Sequence, residues 1–169
     1  MKRLLLARKI KKALSQKRDS AEFLEFDEVK TIDILGFDTD KDQIQAFAKE
    51  LKSKGKKVRL ILLAKNNTSS KESGDVIYVS KKDFNFAGTI SGELKQQIGS
   101  SQTDVLIDLI PACSYRAIAI VLLSNARFRV GIHKEGYNLY DFDIILNEKI
   151  EIDALIDKIK FYIRSIKSK

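Results

Sequence analysis

Residues 31–63 hold two apolar runs with one amphipathic stretch between them, and few folds accommodate that order. Thr31-Ile-Asp-Ile-Leu-Gly-Phe37 is rich in β-branched and apolar residues and predicts a first strand. Ile44, Phe47, Ala48 and Leu51 then recur at helical spacing, and Gly55 stands where a helix stops. Thr39 and Asp40 precede this helix as candidate N-caps, with Asp40 and Gln43 at the spacing of a capping box. Val58 to Leu63 is almost continuously apolar, as a strand covered on both faces must be. A strand, a helix and a second buried strand within about 30 residues form a βαβ unit, whose crossover is right-handed.

The alternation continues. Asn66 to Gly74 is a polar loop, Asp75 to Val79 a short third strand, and Glu93 to Ile98 a short helix. Asp104-Val-Leu-Ile-Asp-Leu-Ile110 is the clearest central strand, and Ser114 is placed to cap the next helix, whose buried face is Ala117, Ile118, Val121 and Leu122. Phe128 to Ile132 and Phe142 to Leu146 predict strands five and six. Only nine residues separate them, 133–141, too few for a helical crossover, so a hairpin and a loop-only crossover both stay open. A final helix carries the stripe Ile152, Leu155, Ile156, Ile159, Tyr162, Ile163 and Ile166, acidic at its start and basic at its end, as the helix dipole favours. The expectation is an α/β fold, a three-layer Rossmann-like sandwich with a mostly parallel sheet and strands one, two and four central.

Charge is distributed unevenly. The chain of 169 residues carries +8, and residues 1–18 hold Lys2, Arg3, Arg8, Lys9, Lys11, Lys12, Lys17 and Arg18 with no acid. The remaining 31 − 8 = 23 basic residues balance 23 acidic ones, so the high pI belongs to the arm. Leu6, Ile10, Ala13 and Leu14 form a narrow stripe within it, which predicts a basic amphipathic helical arm over residues 1–20 ahead of a single α/β domain over 30–169. The arm suits packing on the domain or on a protein partner, with homo-oligomerisation as one form of it. It also suits weak contact through residues 2–18 with nucleic acid or an anionic membrane surface. No apolar run approaches the roughly 20 residues of a transmembrane segment. One Cys and one His build neither an internal disulfide nor a zinc site of Cys/His type, and cytoplasmic residence is expected.

In an open parallel sheet, ligands sit beyond the carboxyl ends of the strands. That rule selects a candidate pocket of Asp38, Thr39, Asp108, Cys113, Ser114 and His133. Asp108 ends an apolar strand and needs partners if it is buried. Cys113 precedes a helix start, which lowers a thiol pKa, and His133 is the only imidazole that could serve as its base. Tyr137, Tyr140, Asp141 and Asp143 cluster before strand six, with two carboxylates at i and i+2. No glycine-rich phosphate loop is present. No complete catalytic set, cofactor site or metal site is expected. The leading function is a non-catalytic α/β binding or interaction module. The alternatives are a small ligand-binding protein or enzyme using the sheet's carboxyl edge for a nucleotide or sugar phosphate, and a nucleic-acid or membrane-surface adaptor acting through the arm.

The basic arm, Lys82-Asp-Phe-Asn-Phe-Ala-Gly88, Thr103-Asp-Val-Leu-Ile-Asp-Leu109, Ala126-Arg-Phe-Arg-Val-Gly131 and Tyr140-Asp-Phe-Asp-Ile144 together resemble a family of short uncharacterised proteins from Bacteroidota. That resemblance implies no activity. The stretch Asp104–Gly131 is also distantly similar to the N-terminal Rossmann-like domain of heptosyltransferases, with its apolar strand, Ala-rich helix and Arg-x-Gly strand. This chain departs from those enzymes in lacking their Gly-rich turn after strand one and their second, sugar-nucleotide-holding domain. The likeness therefore implies the fold rather than the reaction.

Overall fold

The computed structural model describes residues 8, 10–12, 14, 24–65, 74–85 and 89–165. Six strands form one sheet: β1 (Thr31–Phe37), β2 (Lys57–Leu63), β3 (Val76–Val79), β4 (Gln102–Asp108), β5 (Asn125–Ile132) and β6 (Phe142–Ile144). Their order is β3-β2-β1-β4-β5-β6 and every pairing is parallel. β1, β2 and β4 are interior strands, as their apolar runs require. β5 and β6 pair in parallel through Val130↔Phe142 and Ile132↔Ile144, so residues 133–141 make a loop-only crossover.

Among the described residues, the helices α1 (Lys41–Ser53), α2 (Gly92–Gly99), α3 (Tyr115–Leu123) and α4 (Ile152–Ser165) cover the sheet. Alternation along the strands divides the core in two. On one face, α1 and α4 bring Ile44, Phe47, Leu51, Leu155, Ile159 and Ile163 onto Ile32, Ile34, Leu60, Ile107 and Val130. On the other, α2 and α3 bring Leu94, Ile98, Ala117, Ile118 and Val121 onto Leu35, Ile61, Leu63 and Leu106. The β1–β2 and β4–β5 crossovers travel in opposite directions along the sheet. Right-handed connections must then lie on opposite faces, which is where α1 and α3 are. The result is a three-layer Rossmann-like α/β sandwich.

Local chemistry sets the helix ends. α1 closes in a Schellman motif: Gly55 takes φ +81°, its N–H donates to Lys52 O at 2.9 Å, and Lys56 N–H donates to Leu51 O at 3.2 Å. Its start departs from the expected cap. Asp38–Asp40 form a 3-10 turn, and the Asp40 carboxylate makes no capping hydrogen bond. Ser114 does cap α3, its Oγ accepting from Ala117 N–H at 3.5 Å. α1 and α4 are tied by Glu50, which accepts from Lys160 Nζ at 2.5 Å and Arg164 at 3.1 Å. Arg59 on β2 forks onto Asp33 of β1 at 2.9 and 2.6 Å and also donates to Gln97 O and Ser101 Oγ, fastening the end of α2 to the sheet.

Of the arm, Arg8, Ile10, Lys11, Lys12 and Leu14 are described, and all are helical. Ile10 is 2% exposed and belongs to the α2/α3-side core, with Leu14 packed against it, while Arg8, Lys11 and Lys12 face solvent. The remaining arm residues named above, Leu6 and Ala13 included, lie outside the described residues. No described helix is long and apolar enough to cross a membrane.

Candidate functional site

The strand order turns back between β1 and β4, so the segments following these strands stand side by side at the carboxyl edge. A Rossmann-like sheet places its ligand crevice there. β1 leads into Asp38, half-buried, whose Oδ1 accepts Lys65 N–H at 3.1 Å, and then into exposed Thr39. Asp40 has its pKa raised by burial, with Asp38 and Glu151 adding to the rise and Lys65 opposing it. This edge of the crevice is acidic, where a phosphate-binding turn would offer bare N–H groups.

Beyond β4 the chain continues through Leu109, whose N–H donates to Leu35 O at 2.9 Å, to exposed Pro111, Ala112 and Cys113 and then to the Ser114 cap. Asp108 itself is 0% exposed. Its Oδ1 accepts Ile110 N–H at 2.8 Å. Its Oδ2 accepts from Lys134 Nζ at 3.0 Å and from Tyr140 Oη at 2.5 Å. The Lys134 ammonium also donates to Ile110 O at 2.9 Å and Tyr140 Oη at 2.7 Å, and its side chain is fully buried. Every proton of Lys134 and the phenolic proton of Tyr140 is therefore committed inside the protein. Burial and the Asp108 charge drive the Tyr140 pKa far upward, away from any value suited to acid–base exchange near neutrality.

The loop-only crossover makes this network possible. Lys134 and Tyr137 form a short bridge around Gly136, whose φ is +80°, and this folds the loop back so that Lys134 and Tyr140 both reach Asp108. Gly131, paired with Asp108 across β4 and β5, lies beneath the Tyr140 ring, where a Cβ would stand 2.4 Å from Cε1.

The six pocket residues thus share one edge without converging on one function. His133 is exposed and its Nδ1 sits 3.1 Å from Asp143 Oδ2, and no hydrogen bond joins it to Cys113. Asp141 and Asp143 act separately, Asp141 accepting Arg129 N–H at 2.7 Å. Tyr137 has its pKa raised by burial, with Tyr115 and Cys113 contributing. No group of three or more metal-ligating side chains occurs among the described residues.

Sequence reasoning selected Asp108 but missed Lys134, its principal partner. A lysine in His-Lys-Glu-Gly reads as a solvated loop residue, because lysines are almost never fully buried unless paired. The pairing spans 26 residues and leaves no local pattern.

A model described as "Family of unknown function (DUF6913)" matches residues 2–166, and the chain belongs to that family. No curated protein and no solved structure matches it.

Proposed function

We propose that this protein is a non-catalytic α/β binding or interaction module, in which a single Rossmann-like domain over residues 30–169 carries a basic helical arm over residues 1–20. One observation carries the reading: the carboxyl edge, where such a sheet does its chemistry, is occupied by the closed Asp108–Lys134–Tyr140 network. The acidic turn Asp38–Asp40 adds to it, since it opposes a nucleotide or sugar phosphate at the β1 end. The likeness to heptosyltransferases, and to short proteins of Bacteroidota, accordingly bears on the fold and not on transfer chemistry.

The arm gives the module a partner-facing surface. Ile10 is committed to the core with Leu14 packed against it, and the described residues facing solvent are cationic at Arg8, Lys11 and Lys12. Such a face suits an acidic protein surface, another copy of the chain included. It suits insertion into a bilayer less, because Ile10 is already buried in the domain core. An exposed thiol at Cys113 fits residence in a reducing cytoplasm.

Two measurements test this. Native mass spectrometry reads the assembly state. A thermal-shift series with nucleotides and nucleotide sugars, against inorganic phosphate at equal ionic strength, is expected to show no rise beyond that of phosphate. A nucleotide-specific rise that disappears in Thr39→Arg, which obstructs only the carboxyl edge, would replace the module reading with that of a ligand-processing site.

A further inference from the structure

Phe161 lies on α4 and is 67% exposed. Its ring has a fixed backing. It meets Tyr162 edge-on with centroids 5.6 Å apart, and Tyr162 rests in turn on Phe142 of β6 at 5.5 Å. A single exposed aromatic is ordinary on a protein surface. What distinguishes this one is the set of side chains around it.

α4 turns Leu155, Ile156, Ile159 and Ile163 to the core, and the opposite face carries Ala154, Asp157, Lys158 and Phe161, all exposed. At 3.6 residues per turn, Ala154 and Phe161 fall nearly in line along the helix, with Asp157 and Lys158 on either side of that line. The patch is a diamond with apolar ends, an acid on one flank and a base on the other. Its charges are not satisfied within the chain. Lys158 has no partner among the described residues. Asp157 is 77% exposed and stands 3.6 Å from Lys160, whose ammonium Glu50 already holds at 2.5 Å. Glu50 also holds Arg164, so the nearest cations of α4 are drawn towards α1 and away from the patch.

Such a diamond complements itself in one arrangement. A two-fold axis parallel to α4 lays two copies of the helix against each other in the same direction. It sets Phe161 against the partner's Phe161, and Asp157 against the partner's Lys158 twice over. An antiparallel pairing centred on the patch sets Asp157 against the partner's Asp157 and Lys158 against the partner's Lys158, and like charges oppose it.

We propose that the protein pairs with a second copy of itself through this outer face of α4, as a weak, reversible, parallel dimer. One helix face buries less than the roughly 800 Å² per partner of a stable interface, so the pairing depends on protein concentration. It lies across the sheet from the core that seats Ile10 and needs neither the arm nor the carboxyl edge. It therefore goes beyond the module reading, and either can fail alone.

The test is sedimentation equilibrium of the full chain over a wide range of concentration at low salt. A monomer–dimer equilibrium is expected, weakening as salt screens the exposed charges. Phe161→Ala weakens it by about tenfold or more, the order of a central aromatic anchor. Asp157→Lys and Lys158→Asp each abolish dimerisation, while an equimolar mixture of the two restores it, because every facing pair is then again of opposite sign. All three substitutions are at exposed positions, and circular dichroism is expected to show the fold unchanged. A restructured helix in one variant could not be repaired by adding the other, so recovery on mixing reports the interface itself. A chain that stays monomeric at every concentration overturns the proposal and leaves the module reading standing. A dimer indifferent to all three substitutions, or charge variants that fail to recover on mixing, overturns it as well.

Discussion

Asp108→Asn separates a structural carboxylate from a ligand-handling one. The substitution leaves one acceptor oxygen where the carboxylate has two: if it stays on Ile110 N–H, the amide NH2 faces the Lys134 ammonium and Tyr140 Oη, and the only carboxylate bonded to Lys134 among the described residues is lost while its ammonium stays fully buried. Breaking a buried ion pair by removing one partner is destabilising by about 3–5 kcal/mol. Asn retains only the Ile110 hydrogen bond, so the loss is at least the lower end of that range, about 3 kcal/mol. For a chain of this size that lowers Tm by roughly 6–12 °C. In urea it moves the unfolding midpoint by roughly 1–2 M. The double variant Asp108→Asn/Lys134→Met removes the stranded charge and should recover part of the loss, a coupling that a double-mutant cycle measures directly. An Asp108→Asn protein within about 0.5 kcal/mol of the wild type, the range of ordinary surface substitutions, would show that Asp108 does not hold the fold and would reopen it as a ligand contact.

Gly131→Ala puts a methyl 2.4 Å from the Tyr140 ring, which the Asp108 and Lys134 bonds keep from retreating. The expected loss is about 1–3 kcal/mol by urea denaturation, and Tyr140→Ala in the same chain should abolish that added cost. Ile10→Ala should destabilise by about 2–4 kcal/mol, since Ile10 is 2% exposed in the core, whereas an unchanged midpoint would show that the arm does not dock in solution. The Lys160 and Lys54 ammoniums hold the Glu50 pKa down to about 2 from an ordinary value of 4.5. A depressed carboxyl pKa contributes stability above its unfolded value and loses it as pH falls through the folded one, so the Glu50 contribution declines from near pH 4.5 towards 2. Glu50→Gln should therefore flatten the acid limb of a stability-against-pH curve in that window, and an unaltered limb would show that solvent screens these half-exposed pairs.

Much of the architecture was legible because each element carries its own two-faced pattern. The runs 31–37, 58–63 and 104–110 could be interior strands only, and the stripes Ile44/Phe47/Leu51 and Leu155/Ile156/Ile159 could only be helices turned to a core. The cationic arm and the neutral remainder follow from composition alone. Periodicity, however, describes one element at a time. Whether β6 runs with or against β5 depended on which side the loop 133–141 crossed, and those nine residues show no periodic pattern that carries such an instruction. The same loop brings Lys134 and Tyr140 to Asp108 across 26 and 32 residues. Only the folded sheet, by placing β4 beside β5 and bending that loop inward, makes a solvated-looking lysine the counter-charge of a buried carboxylate.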